Sequence, residues 1–92
     1  MSDMKEDRNA PFWTPWTNNT PPDATNDAGV KFWGDVSIQR YAVSLGLTDV
    51  QCMFAETPDG RRSRIITRGQ EVLDSSTSFE ATACFLDMLA LV

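Results

Sequence analysis

Histidine is missing from this 92-residue chain. That absence removes the commonest general base, the usual side-chain switch near neutral pH and the commonest zinc ligand. Cysteine is scarce: only Cys52 and Cys84 occur, 32 positions apart. Neither belongs to a CxxC pair, and no histidine can complete a metal site. Both stand in apolar company, Cys52 beside Met53 and Cys84 beside Phe85. The pattern predicts two buried free thiols in a reducing compartment; a bridge between them would need close approach of their Cα atoms. Long hydrophobic runs are missing too. Nothing approaches the roughly 20 apolar residues that cross a bilayer, and Met1–Arg8 is polar where a secretory signal would be apolar. The expectation is a cytoplasmic protein with no membrane partner, in which the Asn18-Asn19-Thr20 sequon has no consequence.

Positive charge is in deficit, with 8 Lys and Arg against 13 Asp and Glu and a net charge of −5. That balance argues against a general nucleic-acid binder, which carries a basic excess. It keeps a small domain soluble, and it also attracts basic partners. Aliphatic residues are missing from one region only. Positions 1–29 hold no Leu, Ile or Val, but they hold Pro11, Pro15, Pro21 and Pro22. Each prolyl ring deletes an amide donor and biases its predecessor toward extended backbone, so the segment reads as an irregular arm. Yet this arm carries Phe12, Trp13 and Trp16. Large exposed rings are sticky, so something should cover them. Either the arm straps over the domain, with Trp13 and Trp16 capping a core that is short of apolar mass, or the rings insert into a partner as interface anchors.

Residues 30–92 carry the periodic patterns. Val30–Trp33 reads as a short strand that Gly34 breaks. In 36–45, Ile38, Tyr41, Ala42 and Leu45 fall at i, i+3, i+4 and i+7, the helical stripe, with Asp35 or Ser37 as cap and Gly46 after the last turn. A strand competes there, because Tyr41, Val43 and Leu45 also alternate. Val50–Glu56 and Arg62–Arg68 flank Thr57-Pro58-Asp59-Gly60, a strong turn signal, and predict an antiparallel hairpin. Glu71–Leu73 adds a short strand. Thr77 with Glu80 forms a capping-box pattern ahead of a C-terminal helix with Phe79, Ala83, Leu86 and Ala90 on one stripe, widened by Phe85, Met88 and Leu89. A helix this apolar should be largely covered. The fold class predicted is α+β: a small antiparallel sheet, with its hairpin at about 50–68, packed against a C-terminal helix, a second helix at about 36–45, and an irregular N-terminal arm. The boundary between arm and domain is placed near residue 29.

No GxGxxG, P-loop, HExxH or GxSxG motif occurs, and a cysteine nucleophile would lack its usual base. The expectation is a non-enzyme without a metal or cofactor. Charge placement is more informative. Arg61, Arg62, Arg64 and Arg68 supply half of all basic residues within one ribbon. Arg62, Arg64 and Arg68 share parity with Ile66, while Ser63, Ile65 and Thr67 lean the other way. Such a row either discourages edge aggregation and pairs with neighbouring acids, or contacts phosphates and carboxylates through planar forks of donors.

The opening MSDMKEDRNAPFWTPWT, the later TPDGRRSRIITRGQ and the closing SFEATACFLDMLALV together resemble the small phage-encoded anti-CRISPR proteins that target the type I-F surveillance complex. That resemblance implies a non-catalytic inhibitor acting in the host bacterial cytoplasm and monomeric when free. It would occupy the complex's basic DNA-binding surface and block target DNA, with a second contact between the arginine strand and the guide RNA backbone. The resemblance transfers no binding residues; the charge and aromatic pattern makes the candidate contacts Arg61, Arg62, Arg64, Arg68, Trp13 and Trp16. The alternative is a phage structural or assembly protein acting through self-association or another protein contact.

Overall fold

A computed structural model describes residues 14–92; Trp13 and the rest of positions 1–13 lie outside the described residues. The fold is α+β. Five antiparallel strands follow one another across a single sheet in chain order: β1 (Ala24–Thr25), β2 (Lys31–Gly34), β3 (Gln51–Glu56), β4 (Arg62–Arg68) and β5 (Glu71–Ser76). Helix α1 (Val36–Ser44) fills the connection from β2 to β3, and α2 (Phe79–Ala90) closes the chain.

Local chemistry explains each junction. Asp35 caps α1, its carboxylate accepting from the Ile38 amide at 3.3 Å. The chain leaves α1 through Gly46 at φ 84°, a conformation that a Cβ disfavours, and Gly46 N–H returns to Val43 O at 2.9 Å. Between β3 and β4 the turn is closed by Gly60 N–H to Thr57 O and Thr57 N–H to Arg61 O, each 2.9 Å. The Gln39 side chain pins α1 to β3, donating to Val50 O at 3.0 Å and accepting from Cys52 N–H at 2.9 Å.

Register decides which residues share a face. Trp33 pairs with Phe54, Phe54 with Arg64, and Cys52 with Ile66, so these five stand on one side of the sheet. Both helices pack there. Ile38 and Ala42 of α1 and Leu86 of α2 meet Val50, Cys52 and Ile66 in the main core. Trp33 and Phe54 form a second, aromatic cluster. The opposite face carries Phe32, Met53 and Ile65, each half-buried and none part of either cluster.

Several local expectations change. The cap of α2 is Ser78, which accepts from Ala81 N–H at 3.0 Å, so Thr77 lies one residue outside the helix start. Strand β5 runs on to Ser76 and carries one extra residue, because Ile66 faces Asp74 while Thr67 faces Val72. The coverage expected of α2 is incomplete. Thr82 and Leu86 are buried, but Cys84 and Ala90 are exposed and Met88 is 63% exposed.

The described part of the arm packs on its own domain. Pro15 is fully buried, and the Trp16 ring meets Phe54 and Trp33 edge-on, with centroids 5.3 and 6.1 Å apart. The Trp33 indole donates to Thr20 O at 2.8 Å, and β1 pairs with β2 through Ala24–Phe32 and Thr25–Lys31. The boundary placed near residue 29 therefore runs through a strand pair. Trp16→Ala is expected to lower the unfolding free energy by about 2–4 kcal/mol, read as a lower urea midpoint at constant slope; an unmoved midpoint would mean that the strap contributes nothing.

Candidate docking surface

The arginine ribbon carries two expectations: pairing with neighbouring acids, or contact with a partner's phosphates and carboxylates. Its parity is as expected, but the shared face is the one the helices cover. Arg64, in mid-strand, is therefore buried at 6% exposure and is not available to a partner. Its Nη1 donates to Asp35 Oδ2 at 2.5 Å, with Asp35 itself 2% exposed. The guanidinium lies over the Phe54 ring at 4.6 Å and the Phe79 ring at 5.4 Å. Burial pushes the Asp35 carboxyl above its usual range, opposed by the Arg64 charge and by the Ile38 amide.

The other three arginines reach solvent but also hold acids. Arg62 Nε meets Glu56 at 2.8 Å, Arg68 Nε meets Asp49 at 2.8 Å, and Arg61 Nε meets Asp59 at 3.1 Å. Neighbouring carboxylates thus partly neutralise all four guanidinium groups. Arg62 also lies over the Trp16 ring at 5.4 Å, which brings two of the expected contact residues together on the strapped side. Outside these pairs, the described cations are Lys31 and Arg40.

The acids are distributed differently. Asp23, Asp27, Glu71, Asp74, Glu80 and Asp87 make no ion pair among the described residues. Four of these belong to two packed neighbours, Glu71 and Asp74 on β5 and Glu80 and Asp87 on α2. Asp87 accepts a hydrogen bond from the Tyr41 hydroxyl of α1. On α2, Ala81, Cys84, Met88 and Leu91 recur at steps of three and four and are all exposed, Leu91 at 86%. This side therefore offers an apolar helical stripe flanked by unneutralised carboxylates, and β5 supplies the adjacent sheet edge. The reading of α2 as one buried stripe missed it, although the spacing 81, 84, 88, 91 is legible as a second stripe.

Among the described residues no group of three or more Cys, Asp and Glu could hold a metal ion. A recess of about 350 Å³ opens beside α1, walled by Val36, Gln39, Val43 and Cys52 with Arg40 at its lining. Burial, helped by the Asp35 charge, pushes the Cys52 thiol up to about 12, which disfavours its thiolate form. Both cysteines are free, but only Cys52 is buried, which corrects the expectation for Cys84. No protein-family model, curated protein or solved structure matches the chain.

Two outcomes follow from this geometry. Arg64→Met should cost about 3–5 kcal/mol in chemical unfolding, because it strands a buried carboxylate, and adding Asp35→Asn should restore part of that. Arg61→Ala should stay within about 0.5 kcal/mol of the parent. Equal effects at the two arginines would remove the buried pair from its central place. A disulfide reagent such as DTNB should titrate one thiol in the native protein, Cys84, and the second only after unfolding.

Proposed function

We propose that this protein is a non-catalytic inhibitor that binds a type I-F CRISPR RNA-guided surveillance complex and blocks target DNA binding by occupying its basic DNA-binding surface. The observation that carries the reading is the uncompensated acid on β5 and α2: Glu71, Asp74, Glu80 and Asp87 with no cation partner among the described residues. A channel that holds nucleic-acid phosphates is lined by Lys and Arg, and a surface of carboxylates competes for those same side chains. The apolar stripe of α2 supplies the desolvated centre that such a contact needs, with the acids as its rim. The place of action on this reading is the host bacterial cytoplasm.

A guide RNA contact through the arginine strand receives no support from this arrangement. Arg64 is buried, and Arg61, Arg62 and Arg68 already face carboxylates. The acidic side carries the proposal alone. A second reading, a phage assembly protein that self-associates, draws on the same exposed Cys84, Met88 and Leu91.

Purified type I-F complex should retain this protein in a pull-down and should lose target-duplex binding when the protein is added first. That association should weaken as salt rises. Asp74→Lys with Glu80→Lys should weaken inhibition at least tenfold, while Arg61→Glu leaves it unchanged. Failure to associate with the complex would end this reading. Self-association that grows with concentration during sizing, without complex binding, would favour the assembly protein.

A further inference from the structure

A second recess, of about 250 Å³, lies on the strapped side of the sheet, away from the acidic side of α2 and β5. Trp16, Thr20, Lys31, Trp33, Glu56 and Arg62 line it. Two of these residues carry an unusual feature. The Trp16 indole Nε1–H and the Thr20 hydroxyl are buried and have no hydrogen-bond partner among the described residues. A buried donor without an acceptor costs about 1–3 kcal/mol, so two in one wall ask for an acceptor from outside. The neighbouring indole differs: Trp33 already donates to Thr20 O at 2.8 Å.

Charge in the recess points the same way. Lys31 is exposed and makes no ion pair among the described residues. Arg62 is shared, donating through Nε to Glu56 at 2.8 Å and lying over the Trp16 ring at 5.4 Å. Two cations against one carboxylate leave an excess of one positive charge, a local inversion in a chain of net charge −5. Cations beside unpaired donors favour an anionic acceptor over water alone. One singly charged group neutralises that excess, and Glu56 in the wall opposes the second negative charge of a phosphate dianion.

We propose that this recess binds a carboxylate, with Lys31 and Arg62 supplying charge and the Trp16 indole and Thr20 hydroxyl supplying directed hydrogen bonds. The site is independent of the acidic side of α2 and β5, and it gives the strap a second role. Closing the arm over Trp33 and Phe54 also brings the Trp16 and Thr20 donors to Lys31 and Arg62.

The test follows the Trp16 indole Nε1–H signal in ¹H–¹⁵N spectra of the full chain. Sodium acetate, sodium phosphate and sodium chloride are titrated at matched ionic strength. Acetate should move that signal along a saturating curve, phosphate less, and chloride only along the linear drift of bulk salt. The Trp33 indole, already bonded, should move less than Trp16. Lys31→Met, a change at an exposed side chain, should keep the rest of the spectrum and abolish the saturable shift. Acetate indistinguishable from chloride, or a full shift retained in Lys31→Met, would overturn the site. Tighter response to phosphate than to acetate would overturn its assignment to carboxylates.

Discussion

The buried pair between Arg64 and Asp35 joins parts of the chain that stand 29 positions apart in sequence. Asp35 ends the β2 segment, caps α1 and donates its backbone N–H to Cys52 O at 3.0 Å. Arg64 comes from the middle of β4, and its guanidinium runs between the rings of Phe54 and Phe79, the latter being the first residue of α2. One contact at 2.5 Å therefore ties β2, β4 and the starts of both helices. It also lies between the aliphatic core around Ile38 and Ile66 and the aromatic cluster of Trp33 and Phe54. Such a pair adds little net stability over an apolar replacement, since both ions lose their hydration. What it supplies is position: with either charge alone in the core, the other is left unpaired, so arrangements that separate them are disfavoured.

That arrangement also sorts the molecule's charge. Four of the six described cations are consumed in ion pairs, one deep and three near the surface. The exposed pairs contribute little to folding, but they cancel positive potential where they stand. Acid on β5 and α2 has no such compensation among the described residues. The α2 and β5 side thus carries four acids that make no ion pair among the described residues, beside an apolar stripe. This is the physical basis for reading it as a ligand for a basic surface rather than for a nucleic acid.

The strap answers a different constraint. A sheet with two short helices leaves the Trp33 and Phe54 end of its inner face uncovered, and Trp16 closes it. Trp16 sits in a turn over residues 15–19 that Thr20 N–H closes onto Pro15 O at 3.0 Å, and this turn holds the ring over that end. The closure is imperfect in polar terms, leaving the Trp16 and Thr20 donors without acceptors among the described residues, beside Lys31.

Much of the architecture is local and was legible in the residues alone. The Pro58-Asp59-Gly60 turn, the alternation on either side of it, the stripe of 36–45 and the apolar C-terminal segment each reflect short-range geometry, so the α+β class and the hairpin follow from composition and period. Parity likewise placed Arg62, Arg64 and Ile66 together. Alternation, however, says which side chains share a face and not which face becomes covered. That depends on where α1 and α2 land, and it turned the central arginine from a candidate contact into a core ion. The partner of Arg64 stands 29 positions away, and the arm that closes the aromatic cluster is separated from Phe54 by β1, β2 and α1. Such pairings arise only when the whole chain is folded, because burial and the removal of water, not the identity of neighbours in sequence, decide which charges must find each other.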